Sequence, residues 1–225
     1  ERGILYLRDK EVNFMKIRRF LWLIVVVLPF IFRKKTSRQS DDYRPKHVEK
    51  VLAVKRIWQR SEGIAHPNSA CGPTTAAMLL QYMANNQQDK IETEAALVNG
   101  LYKQIRTRVW GTSARKWRKG VKRHLNRRWP ANSWDVQLMR AENQFPVYCQ
   151  SIDQAIPVVL RFTLNNNSHA FASYHYILGI GYRVEEGQAK VAVLDADGGK
   201  MNESVHWIDW HENERFIKIL RVIKS

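Results

Sequence analysis

The chain has 225 residues, 44% of them hydrophobic and 26% charged, enough for one domain with a substantial core and too few for two large ones. Its formal net charge of +16 bears on solubility and on association with polyanions, not on fold. Two cysteines exclude a disulfide framework but allow one bridge, so cysteine usage does not identify a redox compartment.

In chain order, residues 1–14 precede Met15 and are read as an extension upstream of the initiator. Segment 15–35 begins with the basic "MKIRRF" and continues as an apolar run of 13 residues from Phe20 to Phe32. That run is shorter than the roughly 20 residues of a transmembrane helix and fits the about 7–15 of a signal h-region. No small-x-small cleavage site follows, Pro29 sits inside the run, and basic residues flank both sides. The positive-inside rule therefore gives no orientation. The segment is read as a signal or membrane anchor, kept or cleaved late, which places the domain on the extracellular side of the cell membrane or in the medium. A buried core helix is the other reading, opposed by the cost of burying such basic flanks.

Residues 36–50, with "SRQSDDYRPK" in their midst, form a polar linker, and the globular domain is expected over 51–225. No internal repeat is visible. Its first half is helical. After Cys71 and Pro73, the residues Ala76, Leu79, Leu80 and Met83 follow the spacing of a helix with one buried face. Asn68 or Ser69 is expected to cap it, and Pro73 is at home in the first turn. A second helix is predicted through "ETEAALVNGLYKQI" and a third through "SARKWRKGVKRHLNRR". In the third, Trp117, Val121 and Leu125 form the core stripe. This helix carries most of a basic run, Arg106 to Arg128, with ten Lys/Arg and no acid. Such a run reads first as a solvated face. It also suits anionic lipid or wall polymer, with nucleic acid less favoured.

The second half changes period. "IPVVLRFTL", "SYHYILGIGY", "AKVAVLDA" and "RFIKILRVI" are short β-branched or aromatic runs separated by polar or Gly-rich stretches. Helices followed by several strands predict an α+β domain with an antiparallel sheet.

A cysteine nucleophile needs a stabilised thiolate, a histidine to take its proton, and a polar group to orient that histidine. Cys71 meets the first need if a helix begins there. Of seven histidines, His175 alone lies in a buried-looking strand, and the next strand ends at Asp195. Neighbouring antiparallel strands would bring the two together. The bland readings are a core histidine and an aspartate in ordinary turn chemistry before Gly-Gly. Cys149, in "FPVYCQSI", reads as a buried structural thiol. No cofactor is expected: the chain has no CxxC, no HExxH and no close Cys/His pair at ligand spacing, and its Gly-rich pieces are not followed by helices.

Taken together, "ACGPTTAAMLLQY", "WGTSARKWRKGVKRHL", "IPVVLRF", "YHYILGIGY" and "VLDADGGK" resemble the papain-fold bacteriocin-processing-type cysteine peptidases (family thirty-nine), most closely their stand-alone branch of exported Gram-positive proteins. The resemblance covers about residues 55–210 and implies a papain-like fold, helices packed on an antiparallel sheet. It implies Cys71 as nucleophile, His175 as general base and acid, and Asp195 as the orienting group. It also implies an upstream amide that helps bind the oxyanion. Gln59 is preferred over Asn68 for that role, although it lies 12 residues before Cys71 and Asn68 only three. The implied activity is hydrolysis of a peptide or amide bond in an unidentified peptide or protein, or transfer of its acyl group to an amine. The competing reading is a weak or inactive peptidase-fold binding domain whose basic face holds anionic envelope polymer.

Overall fold

The computed structural model of the protein describes residues 43–45, 48–89, 92–198 and 205–224. The chain divides into two units, 1–39 and 40–225, and every described residue belongs to the second. The extension 1–14 and the signal or anchor segment 15–35 lie outside the described residues. Among the described residues, no helix is long and apolar enough to cross a membrane.

Three helices come first: α1 (Cys71–Asn86), α2 (Glu94–Gln104) and α3 (Ala114–Arg128). Thr93 caps α2 by accepting from Ala96 N–H, and Ser113 caps α3 by accepting from Lys116 N–H. The stripe of Trp117, Val121 and Leu125 is fully buried, and the basic residues beside it face water. The start of α1 differs from expectation. Its N-cap is Ala70, which offers no side chain. Tertiary contacts take both candidate caps: Ser69 Oγ bonds the Tyr102 hydroxyl, and Asn68 Oδ1 accepts from Arg60. Nor does α1 bury one face only, since every residue from Gly72 to Leu80 is buried. It lies between the sheet and the other two helices, so water reaches little of it.

Seven strands follow the helices or flank them: β1 (Glu49–Val51), β2 (Trp134–Arg140), β3 (Val158–Phe162), β4 (Tyr176–Glu185), β5 (Gln188–Asp195), β6 (His206–Asp209) and β7 (Ile217–Lys224). They form one antiparallel sheet in the order β2-β7-β3-β4-β5-β6. Where β3 ends its pairing with β4, β1 takes over the same edge, opposite Gly181 to Arg183. A Cβ at Gly181 would collide with the Lys50 carbonyl and come within 2.9 Å of Val51 Cα, so β1 can seat only against glycine. The fold therefore takes in chain read as linker. Tyr43 belongs to it as well, packing on the core and donating its hydroxyl to Asp153.

Both faces of the sheet are covered. Leu178, Ile180, Val159, Leu220 and Val222 pack under α1 and α3, while Leu160, Ile177, Phe162 and Ile219 pack on the opposite face. There they meet α4 (Phe145–Asp153) and the single turn α5 (Trp210–Asn213) through Tyr148, Ile152 and Trp210. This double cover is why the central strands read as unbroken apolar runs rather than alternating ones. Cys149 sits inside α4, fully buried, and burial pushes its thiol well above the usual range. Both cysteines are free, so no Cys71–Cys149 bridge closes the chain.

Candidate active site

Cys71 is the first residue of α1, where backbone N–H groups lack intrahelical acceptors. Gly72 follows because the turn at Thr112 crosses there: a Cβ on residue 72 would sit 2.8 Å from Thr112 Oγ1. Trp117 Nε1 donates to the Gly72 carbonyl at 2.9 Å and joins α3 to this helix start. On the sheet side, the Tyr176 hydroxyl donates to the Thr112 carbonyl at 3.1 Å, and Thr75 donates to the Cys71 carbonyl at 2.7 Å. The nucleophile candidate thus sits in a frame built from α1, α3 and β4.

His175 lies one residue before β4 rather than within it, its carbonyl accepting from Phe162 N–H at 2.8 Å. Tyr174 precedes it with φ +49°, a left-handed conformation that costs a bulky side chain roughly 1–3 kcal/mol. That backbone turn sets the direction in which His175 enters the cleft. Asp195 is the last residue of β5, and its register partner is Ile177. The two-residue turn between β4 and β5 sets the first part of the register, and a bulge between Gly179 and Gly181 shifts it by one residue, so that Asp195 falls opposite Ile177 and ends beside the imidazole.

Nε2 of His175 and Oδ1 of Asp195 are 2.7 Å apart, and Nδ1 is the ring nitrogen left for Cys71. Burial alone would lower the histidine pKa. Hydrogen bonds with Asp195 and then Cys71, and the charges of both, outweigh it and carry the value up to about 10. For Asp195, burial would raise the pKa. The His175 hydrogen bond and charge, the Asp197 N–H and Arg56 outweigh that and hold the carboxyl below the usual carboxylate range. Because His175 is raised, its contribution to stability is complete below about pH 6.5 and is lost as pH climbs through about 10. The same sign fixes an expectation for Asp195→Asn. A turnover profile whose alkaline limb lies near pH 10 should retract by at least one pH unit toward the ordinary imidazole range, about 6.5. A limb that does not move would show that Asp195 is not what holds the proton on His175.

Gln59 reaches the site despite its distance in sequence. Its backbone N–H donates to the Ala196 carbonyl at 2.9 Å, tying the upstream loop to the end of β5. Its Nε2 donates to Pro67 O at 2.9 Å, and the residue is 2% exposed. Gln59, Asn68, Cys71 and His175 all line one cleft, with Trp110, Thr112, Arg161, Tyr174, Tyr176 and Asp197. Asn68 is also held, its Oδ1 accepting from Arg60 at 2.7 Å. Among the described residues, no group of three or more His, Cys, Asp or Glu side chains is placed to share a metal ion.

Residues 51–220 match the model of the Peptidase_C39 like family. The chain belongs to that family. Solved structures agree on the fold. The UfSP structure from C. elegans has a TM-score of 0.51 at 12% identity, covering 82% of this chain and 35% of that one. Procathepsin L 3 from the Tenebrio molitor larval midgut has a TM-score of 0.50 at 10% identity, with 82% and 72% covered. The peptidase domain of Streptococcus ComA, a bi-functional ABC transporter of a quorum sensing pathway, is also similar, at TM-score 0.46 and 12% identity with 76% and 99% covered. No curated protein matches the chain. The fold is papain-like, and family membership supports a cysteine peptidase-like function.

Other residues hold or border the cleft without a local sequence pattern that marks them. Arg60 grips Asp197 at 2.6 and 3.2 Å as well as Asn68, clamping the loop before α1 to the chain after β5. Arg56 Nε donates to the Asp195 carbonyl at 2.6 Å. Both contacts span more than 130 residues of sequence, and no local signal announces them. Trp110, 70% exposed, lines the cleft and belongs to the "WGTS" turn, whose resemblance assigns this side chain no role.

Proposed function

We propose that the chain is a cysteine peptidase in which Cys71, His175 and Asp195 form the reacting set and Gln59 helps to bind the oxyanion. The observation that carries this reading is the His175 imidazole, whose Nε2–H donates to the Asp195 carboxylate at 2.7 Å while the other ring nitrogen interacts with Cys71. In the first half-reaction, Sγ of Cys71 attacks the carbonyl carbon and the carbonyl oxygen takes up the electron pair. The Cys71 N–H and the second Nε2 hydrogen of Gln59, unused at Pro67, stabilise that oxyanion. His175 gives its proton to the leaving nitrogen, the C–N bond breaks, and a thioester remains. Water then gives a proton to His175 and its oxygen to the acyl carbon. The acid leaves, and the thiolate–imidazolium pair is restored.

Peptide turnover with mass-spectrometric capture of the thioester on Cys71 tests this reading. Gln59→Ala is expected to lower kcat by about 10²-fold with the thioester still formed on Cys71. Turnover that survives Cys71→Ala would overturn the assignment. The cellular placement proposed with it is an anchored or exported one, resting on segment 15–35. A second reading, binding of anionic lipid or wall polymer by Arg106–Arg128, is favoured by charge left over on that face. Of its ten cations only Lys122, with Asp135, and Arg128, with Asp89, have an ion pair among the described residues.

A further inference from the structure

Three cations stand side by side on the sheet face that carries α1. Arg161 of β3 lies directly opposite Lys218 of β7, and Lys218 lies directly opposite Arg140 of β2. On its other side Arg161 faces Tyr176 of β4, the residue after His175. Two positions along the same strands, Val159, Leu220 and Leu138 pack into the core beneath the helices. The cations therefore begin where that cover ends, as their intermediate or full exposure shows. Like charges directly opposite each other on neighbouring strands destabilise a sheet. Little within the protein relieves these. Among the described residues neither Arg161 nor Lys218 has an ion pair, and Arg140, its side chain 83% exposed, reaches only Glu142 at 4.0 Å.

The inner end of this row is in the cleft itself. Arg161 lines it together with Cys71 and His175. Its guanidinium lies 5.3 Å from the Tyr174 ring centroid and 5.8 Å from that of Tyr176, the two residues flanking His175. The rings hold the cation without neutralising it. Both carboxylates nearby are engaged elsewhere, Asp195 by His175 and Asp197 by Arg60. Such a row of uncompensated charge, in register and leading away from the reacting residues, is suited to a ligand carboxylate.

We propose that Arg161 and Lys218 form a substrate subsite for an acidic side chain close to the bond that Cys71 attacks. The proposal rests on the peptidase reading and adds a substrate class to it. Strands lie about 4.8 Å apart, so Arg161 and Lys218 stand roughly 5 and 10 Å from β4. That is the reach of about two to three residues of extended peptide at roughly 3.3 Å each.

The test uses fluorescein-labelled, internally quenched decapeptides in pairs that differ only by Glu or Gln at one position, scanned along the sequence. The full chain is compared with Arg161→Gln, Arg161→Lys and Lys218→Gln, and the same peptides are titrated against Cys71→Ala by fluorescence anisotropy. One position is expected at which Glu exceeds Gln by about tenfold in kcat/KM and in affinity. That ratio should fall toward one in Arg161→Gln and in Lys218→Gln, while Arg161→Lys retains part of it. Cleavage with no preference for Glu, or a preference that survives both glutamine variants, overturns the subsite and leaves the peptidase reading standing. No cleavage of any peptide, with Glu-dependent binding to Cys71→Ala that is lost on adding Lys218→Gln, would remove the peptidase reading and retain the anion subsite. Loss of folding in Arg161→Gln would leave Lys218→Gln to decide.

Discussion

Replacing His175 by alanine is expected to lower peptide turnover by about 10⁴-fold or more, with the domain still folded. The size follows from what the ring does. In the proposed reaction it holds the proton that the leaving nitrogen requires, and its raised pKa keeps that proton available at neutral pH. Among the described residues, no other histidine lines the cleft with Cys71. Folding should survive because the side chain sits just outside β4 and is 18% exposed toward the cleft. Asp195 would not be stranded, since the Asp197 N–H still donates to it at 2.8 Å and Arg56 still holds its carbonyl. Steady-state kinetics beside a thermal melt separate the two effects. An unchanged rate would remove His175 from the mechanism, and a collapsed melt would make it a structural residue.

Trp117→Ala is expected to produce the largest loss of stability among the substitutions considered. The indole is fully buried between α1, α3 and the sheet, and its Nε1 serves the Gly72 carbonyl at 2.9 Å. Emptying such a site costs about 3–5 kcal/mol, a large share of the roughly 5–15 kcal/mol that holds a typical domain together. For a chain of this size the melting temperature should fall by roughly 6–20 °C. Trp117→Phe, which refills much of the volume but cannot donate, should lose distinctly less. A melt that shifts by less than about 2 °C in the alanine variant would contradict the packing described for α3. Because Gly72 follows Cys71, the cysteine's reactivity in the alanine variant reports how far the helix start depends on that contact.

What could be read in the sequence was whatever local chemistry decides. The stripe of Trp117, Val121 and Leu125 requires nothing beyond neighbouring residues. Asp195 could be placed beside His175 because β4 and β5 are neighbouring antiparallel strands, while the bulge between Gly179 and Gly181 that sets their final register has no such signal. Legibility ended where distant residues compete for the same groups. Asn68 and Ser69 are good caps by preference, yet Arg60 and Tyr102 claim them. The apolar, aromatic stretch around Cys149 conceals α4, because a helix packed on a sheet need not alternate with polar residues. Strands β2 and β6 were missed for another reason. They border the sheet, with β2 reading as mixed polarity in "WDVQLMR" and β6 only four residues long. The contact that brings Gln59 to the cleft, with Ala196, lies 137 positions away, beyond any local pattern.

The central claim is that His175 and Cys71 act as one unit, and the alkylation rate of Cys71 measures that most directly. Iodoacetamide labelling of the intact chain at pH 6 is compared with His175→Ala, Cys149 being too deeply buried to interfere. An isolated thiol ionises near 8.5 and is almost unreactive at that pH. The account predicts rapid labelling of the wild type and a fall of at least about tenfold in the variant. Equal and slow labelling of both would contradict it, and the basic face from Arg106 to Arg128 would then become the function to pursue.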